Sequence, residues 1–261
     1  MIGTTSIIRG MLLNVQPSFR LNCDLSSSAE CKSPVSTVQF LKKCLLDDPV
    51  DPPKTCLNGS YAFAQRDGYK SPTEDRIAVL SIDTDTALFG VFDGHGGSYV
   101  SDYVSSVLPS MVKEAVLAFK ASMSPSISER DYNARLESIL EESFLATDDE
   151  LLQNKFFSGG STGTVALATL TSVVVANLGD SPCIAFSKHD GRRLLHETVD
   201  HTPKNKDEVR RIESNGGTVT NSFDGSERID GNLSITRAFG HRKYKVGIHE
   251  AKRIITAKPQ T

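Results

Sequence analysis

Between residues 60 and 187 the hydrophobic pattern changes period twice, and that ordering restricts the fold more than any other feature of the chain. It begins with short apolar runs rich in β-branched residues, YAFAQR, RIAVLSI and TALFGVF, which read as strands. The DTDT link between the second and third reads as a hairpin turn. Beyond Ser98 the period becomes helical. Val100, Val104, Val107, Leu108, Met111 and Val112 recur at steps of three and four, and Pro109 among them predicts a kink or a division. A second helix fits Ser128 to about Asn154, with Tyr132, Leu136, Ile139, Leu140, Phe144 and Leu151 on or near one face. Strands return at Thr162–Leu170 and Ser172–Leu178, with a link so short that a tight hairpin follows, and then at PCIAFS. Asn205–Asn215 reads as a helix stopped by NGG. Strands, helices and strands again argue an α+β class, an antiparallel β-sandwich flanked by α-helices, and not a doubly wound parallel sheet.

Residues 1–57 read differently, as a leader that is disordered or holds one short helix in VSTVQFLKKCLL, ended by DDPVDPPK. The domain proper is read as 58–261. The first 23 residues hold Arg9 and Arg20 and no acid, a composition open to organelle targeting as well as to a plain cytosolic or nuclear tail. A formal net charge of −3 gives no nucleic-acid surface. No apolar stretch reaches the roughly 18 residues of a membrane span. The five cysteines, an odd number without a C-x-x-C pair, read as reduced thiols and exclude a zinc site of the usual spacing.

The chemistry begins where the run LFGVF stops at DGHGG. On an extended chain Asp93 and His95 share one side. Gly94 between them lets its carbonyl turn inward as an oxygen ligand, and carboxylate, carbonyl and water are hard ligands for Mg²⁺ or Mn²⁺. The same five residues are also common turn pieces. A metal pair needs more acids. Glu74 and Asp75 stand just before the strand that leads toward Asp93, and Asp180 follows a glycine at another strand end. Lys70, four residues ahead of Glu74, offers a point charge to an anionic substrate.

YKSPTEDR, VFDGHGG, GGSTGTVAL, ANLGDSP, VDHTPKNKDEVRRIESNGGTV and RIDGNLSITRAFG, taken in that order, resemble the metal-dependent protein phosphatase 2C family over about Ser60 to Gly240. The resemblance implies a β-sandwich flanked by helices, acting as a monomer on phosphoserine and phosphothreonine in phosphorylated proteins, with two Mg²⁺ or Mn²⁺ ions and a weaker third. It implies that Asp93 bridges two metals and that the Gly94 carbonyl binds one. Glu74 and Asp75 then hold metal-bound water or complete the shell, and Asp180 serves the third ion. His95 protonates the leaving seryl or threonyl oxygen. Two cations lower the pKa of a water they share, and an acid near neutral pKa meets the departing alkoxide.

The sequence departs from that pattern at named places. Lys70 stands where the family usually has an arginine on the phosphate, which keeps the charge and loses the bidentate fork. Pro182 replaces an arginine. His241 stands where the family has an aspartate that binds metal directly; it reads either as a softer, neutral ligand or as a surface histidine in a basic loop with Arg242, Lys243 and Lys245. The resemblance also implies further strands beyond Thr261 that carry metal-site carboxylates, so the expectation is a C-terminally shortened member. Two functions follow: a metal-dependent serine/threonine phosphatase, or a pseudophosphatase that keeps a phosphoprotein-binding or partner-binding surface without turnover.

Overall fold

The computed structural model describes residues 72–154, 157–187 and 193–261, together with the backbone of four short strands ahead of them. Those four are β1 (Met11–Val15), β2 (Arg20–Leu21), β3 (Lys54–Cys56) and β4 (Gly59–Tyr61). Then come β5 (Arg76–Ser81), β6 (Thr86–Phe92), β7 (Gly94–His95), α1 (Tyr99–Ser122) and α2 (Glu129–Gln153). The strands β8 (Gly160–Ser161), β9 (Gly163–Thr169), β10 (Ser172–Leu178), β11 (Cys183–Ser187) and β12 (Leu194–Glu197) follow. The last stretch holds α3 (Lys206–Ser214), β13 (Val219–Asn221), β14 (Glu227–Ile229) and β15 (Phe239–Gly240).

The class is α+β with mainly antiparallel sheets, as the order of periods predicts. The largest sheet runs β2-β10-β9-β6-β5. The hairpin β5–β6 pairs Arg76 with Phe92 through Ser81 with Ala87. Its turn closes by Ile82 N–H on the Thr86 carbonyl at 2.9 Å, with the Asp83 carboxylate accepting from Asp85 N–H at 2.8 Å. In the β9–β10 turn Thr169 Oγ1 accepts from the N–H of Ser172 at 3.0 Å. That hydroxyl takes the place of the longer loop the chain lacks.

Helix α1 buries Val100, Val104, Leu108, Val112 and Val116, a row at steps of four and each fully covered. It runs unbroken through Pro109, so the expected division does not occur. An interior proline costs about 3 kcal/mol. Pro109 is itself buried beside Leu108, and packing along the whole row offsets that cost. Helix α2 starts on Ser128, whose hydroxyl accepts from Asp131 N–H at 3.1 Å. Its Leu136, Ile139, Leu140, Phe144 and Leu151 join one cluster with α1, β6, β9 and β10. A second, smaller cluster of Ile212, Ile229, Ile235, Ala238, Tyr244 and Ile255 sits beneath α3. Helix α3 ends as NGG predicts: Gly217 N–H reaches back to the Ile212 carbonyl at 3.0 Å, with Gly216 at positive φ.

Two pairings are parallel and were not foreseen. β1 lies beside β11 from Met11 opposite Cys183 to Val15 opposite Ser187, and β2 lies beside β10. Residues 1–57, read from sequence as a leader, thus place two short segments at the edges of sheets. The helix expected in VSTVQFLKKCLL and the phosphate-binding Lys70 lie outside the described residues. Among the described residues no helix is long and apolar enough to cross a membrane. Cys183 is a buried free thiol, and burial pushes its pKa up to about 12.

Candidate active site

A three-stranded sheet, β15-β8-β7, carries the site. In it Gly94 pairs with Ser161, His95 with Gly160, and Gly160 in turn with Gly240. Asp93 occupies the single residue between β6 and β7, where the chain leaves the large sheet for the small one. Its N–H donates to Thr162 Oγ1 at 3.0 Å, and its carbonyl accepts from Thr162 N–H at 2.9 Å. Thr162 Oγ1 also meets Ser181 Oγ at 2.7 Å, both fully buried. Asp180 precedes Ser181 in that loop, so one pair of hydroxyls ties the two acidic tips together. The loop is fixed from behind by His201, whose Nδ1 accepts from Gly179 N–H at 3.1 Å. Burial and the nearby Arg237 hold His201 at about 4, hence neutral.

Glu74 and Asp75 reach the same corner. Gly94 lies so close to them that a Cβ there would stand 2.4 Å from the Glu74 carbonyl and 2.5 Å from Ser101 Oγ. Only glycine fits between Asp93 and His95 because the strand start at Glu74 is packed onto it. Ser101 Oγ, on α1, donates to the Glu74 carbonyl at 2.5 Å, and Glu74 Oε1 accepts from Gly97 N–H at 3.0 Å. Arg76 braces the bend: it donates to Asp102 on α1 at 2.5 Å and to the carbonyls of Thr73 and Asp75. Asp75 is almost wholly covered, whereas Glu74, Asp93 and Asp180 are half-buried.

His241 does not lie on an exposed basic loop. It follows Gly240 in left-handed backbone at φ 50°, donates its N–H to the Gly159 carbonyl at 2.9 Å, and turns its ring onto His95. The two Nε2 atoms are 2.6 Å apart, with ring planes inclined by 23°. A Cβ on Gly160 would sit 2.4 Å from His241 Nε2, so the ring rests directly on the glycine backbone. Burial, then the neighbouring His95, push His241 down to about 3. Burial lowers His95 too, against the opposing pull of the Asp93 carbonyl hydrogen bond and of Glu74. Nε2 is the atom of His95 that faces His241.

The device that aims His241 was missed from sequence. Asp148 and Lys245, both fully buried, pair at 2.7 Å. Asp148 also accepts from Gly240 N–H at 2.8 Å, and Lys245 Nζ donates to the Ala238 carbonyl at 2.6 Å. Both ends of the turn that bears His241 are thereby fixed to α2. A signal existed: Leu136, Leu140, Phe144 and Asp148 form one row at steps of four, so a carboxylate occupies an apolar position.

Beside the two imidazoles lies an open groove of about 700 Å³, lined by Phe157, Gly159, Leu233, Arg242, Lys243 and Val246 among others. The groove reaches the corner through His95 and Gly96, and the residues next to these in the chain and in the fold, Asp93, Gly94 and Glu74, carry oxygen donors. Among the described residues no three His, Cys, Asp or Glu side chains stand close enough together to enclose a metal ion. Oxygen donors of this kind suit a hard, largely hydrated Mg²⁺ or Mn²⁺ better than a closed protein cage.

Residues 60–261 match the sequence profile of protein phosphatase 2C. The chain belongs to the protein phosphatase 2C family. It is 35% identical over 179 residues to the bovine protein phosphatase 1L, covering 66% of this chain and 47% of that protein. To the probable protein phosphatase 2C 56 of rice it is 32% identical over 200 residues, 71% of this chain and 49% of the relative. It thus spans about half the length of the curated relatives it matches. Among solved structures, the serine-threonine phosphatase 2C of Toxoplasma gondii superposes with a TM-score of 0.60 at 23% identity, over 73% of this chain and 68% of that one. A C. elegans sex determining protein superposes with a TM-score of 0.58 at 26% identity, over 85% and 53% respectively. Both likenesses concern the fold. Within this phosphatase 2C chain, His241 against His95 is the feature that most alters the expected site.

Proposed function

We propose that this chain hydrolyses phosphoserine and phosphothreonine in proteins, with Mg²⁺ or Mn²⁺ as its cofactor. The observation that carries the reading is the run Asp93–Gly94–His95, locked onto Glu74, with His95 and Gly96 at the groove. Asp93 and the Gly94 carbonyl would hold the cation; Glu74 and Asp75 would complete its shell through water, and Asp180 would serve a further ion. A bound divalent ion activates water at neutral pH and offsets phosphoryl charge. Lys70 would meet the phosphate as a point charge. His95, which lines the groove, meets the leaving seryl or threonyl oxygen at Nε2. In the resting site that Nε2 shares a proton with His241, so substrate oxygen must take the place of the second imidazole.

Hydrolysis of a phosphopeptide with Mn²⁺ or Mg²⁺, compared with Asp93→Asn, tests the reading. The expected result is turnover that falls by about 100-fold or more in the variant. Equal background in both proteins, with phosphopeptide retained, would instead mark a binding module without turnover.

A further inference from the structure

We infer that His95 and His241 form a nitrogen site for a borderline divalent ion of the Zn²⁺ class, separate in chemistry from the oxygen donors of Asp93, Gly94 and Glu74. The geometry of the pair supports it. The Nε2 atoms face each other at 2.6 Å, with ring planes inclined by 23°. A tetrahedral ion at ordinary Zn–N distance holds two nitrogens about 3.3 Å apart, so the nitrogens part by less than about 1 Å and each ring swings to bring its lone pair onto the ion. His95 is held by the pairing of its strand with Gly160.

His241 is equally fixed. Gly240 N–H on Asp148, His241 N–H on the Gly159 carbonyl and the face of Gly160 set its backbone and one side of its ring. The adjoining groove supplies room for water at the remaining positions. On binding, the proton between the two Nε2 atoms leaves to solvent and the His241 ring takes one at Nδ1, so both imidazoles stay neutral and offer a lone pair each. Mg²⁺ has little affinity for such nitrogens, and Zn²⁺ prefers them. An ion there also occupies the atom of His95 that the proposed reaction uses, which makes zinc an inhibitor of this chain at the position where the family carries an aspartate. The binding itself does not depend on turnover.

Zn²⁺ is titrated into the full chain by calorimetry, in excess Mg²⁺ to occupy the oxygen donors, alongside His241→Asn. Asparagine tolerates left-handed backbone, so the turn at position 241 is kept. One Zn²⁺ per chain is expected, with affinity at least about tenfold weaker in the variant. Imidazole ring-proton resonances of the wild-type chain give a second measurement that needs no variant: two histidines should shift together on adding Zn²⁺. Equal zinc affinity in both proteins, no uptake by a folded wild-type chain, or zinc binding that leaves those two resonances unmoved would each overturn the inference. Loss of phosphopeptide hydrolysis with Mn²⁺ alone would bear on the catalytic reading and not on this site.

Discussion

At the scale of single residues, the site is governed by how closely backbone approaches backbone. Gly94 and Gly160 are two of the places where a methyl group has no room. Gly160→Ala would press on His241 Nε2 and on the Phe239 carbonyl, the latter 2.7 Å from the new Cβ and unable to yield cheaply. The expected cost is about 1–3 kcal/mol of stability, read from denaturant unfolding, with loss of the coupled imidazole resonances. His241→Asp tests the direction of the side chain. A carboxylate on the same left-handed turn adds a hard negative donor beside Asp93 and Gly94, so Mn²⁺ should bind at least about tenfold more tightly. An unchanged Mn²⁺ affinity would mean that position 241 does not address the metal.

At the scale of elements, the turn from β15 to Lys245 keeps its shape because α2 reaches under it. Asp148→Leu or Lys245→Met alone leaves one buried charge unmatched, and each should destabilise the chain by about 3–5 kcal/mol. The two changes together should cost less than the sum of the two, although the Gly240 N–H and the Ala238 carbonyl stay unpaired; a double-mutant cycle measures the difference. Near-additive losses would contradict the pairing. The same contact explains why the site was only partly legible in the sequence. Asp93, Gly94 and His95 are adjacent, and Glu74 begins the next strand, so strand alternation alone brings them together. His241 is aimed by Asp148, which accepts from Gly240 92 residues later in the chain, and no local pattern records that partner. The periods also gave the hairpins and the three α-helices of the described residues. They failed at Pro109, where burial outweighs helix propensity, and at β1 and β2, which are too short and too far from their partners for periodicity to show pairing.

At the scale of the whole molecule, the core of the described residues is a large cluster under α1 and α2 and a small one under α3, and buried ionisable groups make the fold sensitive to acid. Glu208 is buried on α3 and takes both oxygens to Arg237, at 2.6 and 3.1 Å, with Arg211 at 2.9 Å. Though burial opposes it, these guanidinium groups hold the carboxyl at about 2 against an ordinary 4.5. A depressed carboxyl stabilises the fold fully above its unfolded value, and that contribution is lost as pH falls from about 4.5 through 2. His201, held near 4 instead of 6.5, is neutral in the fold while the unfolded chain takes up a proton, so stability declines earlier, from about pH 6.5 to 4. His241 and His95, also held below the ordinary imidazole value, add to that first decline. Unfolding free energy measured across that range should fall in these two stages, and His201→Gln should remove its own share of the first. A flat profile between pH 6.5 and 4 would refute the assignment to His201. The most direct test of the account is a manganese titration of the folded chain, set beside Asp93→Asn. Saturable uptake that weakens at least about tenfold in the variant is the expected result. A folded wild-type chain that takes up no manganese at roughly millimolar concentration, or one that binds it as well without the Asp93 carboxylate, would contradict it.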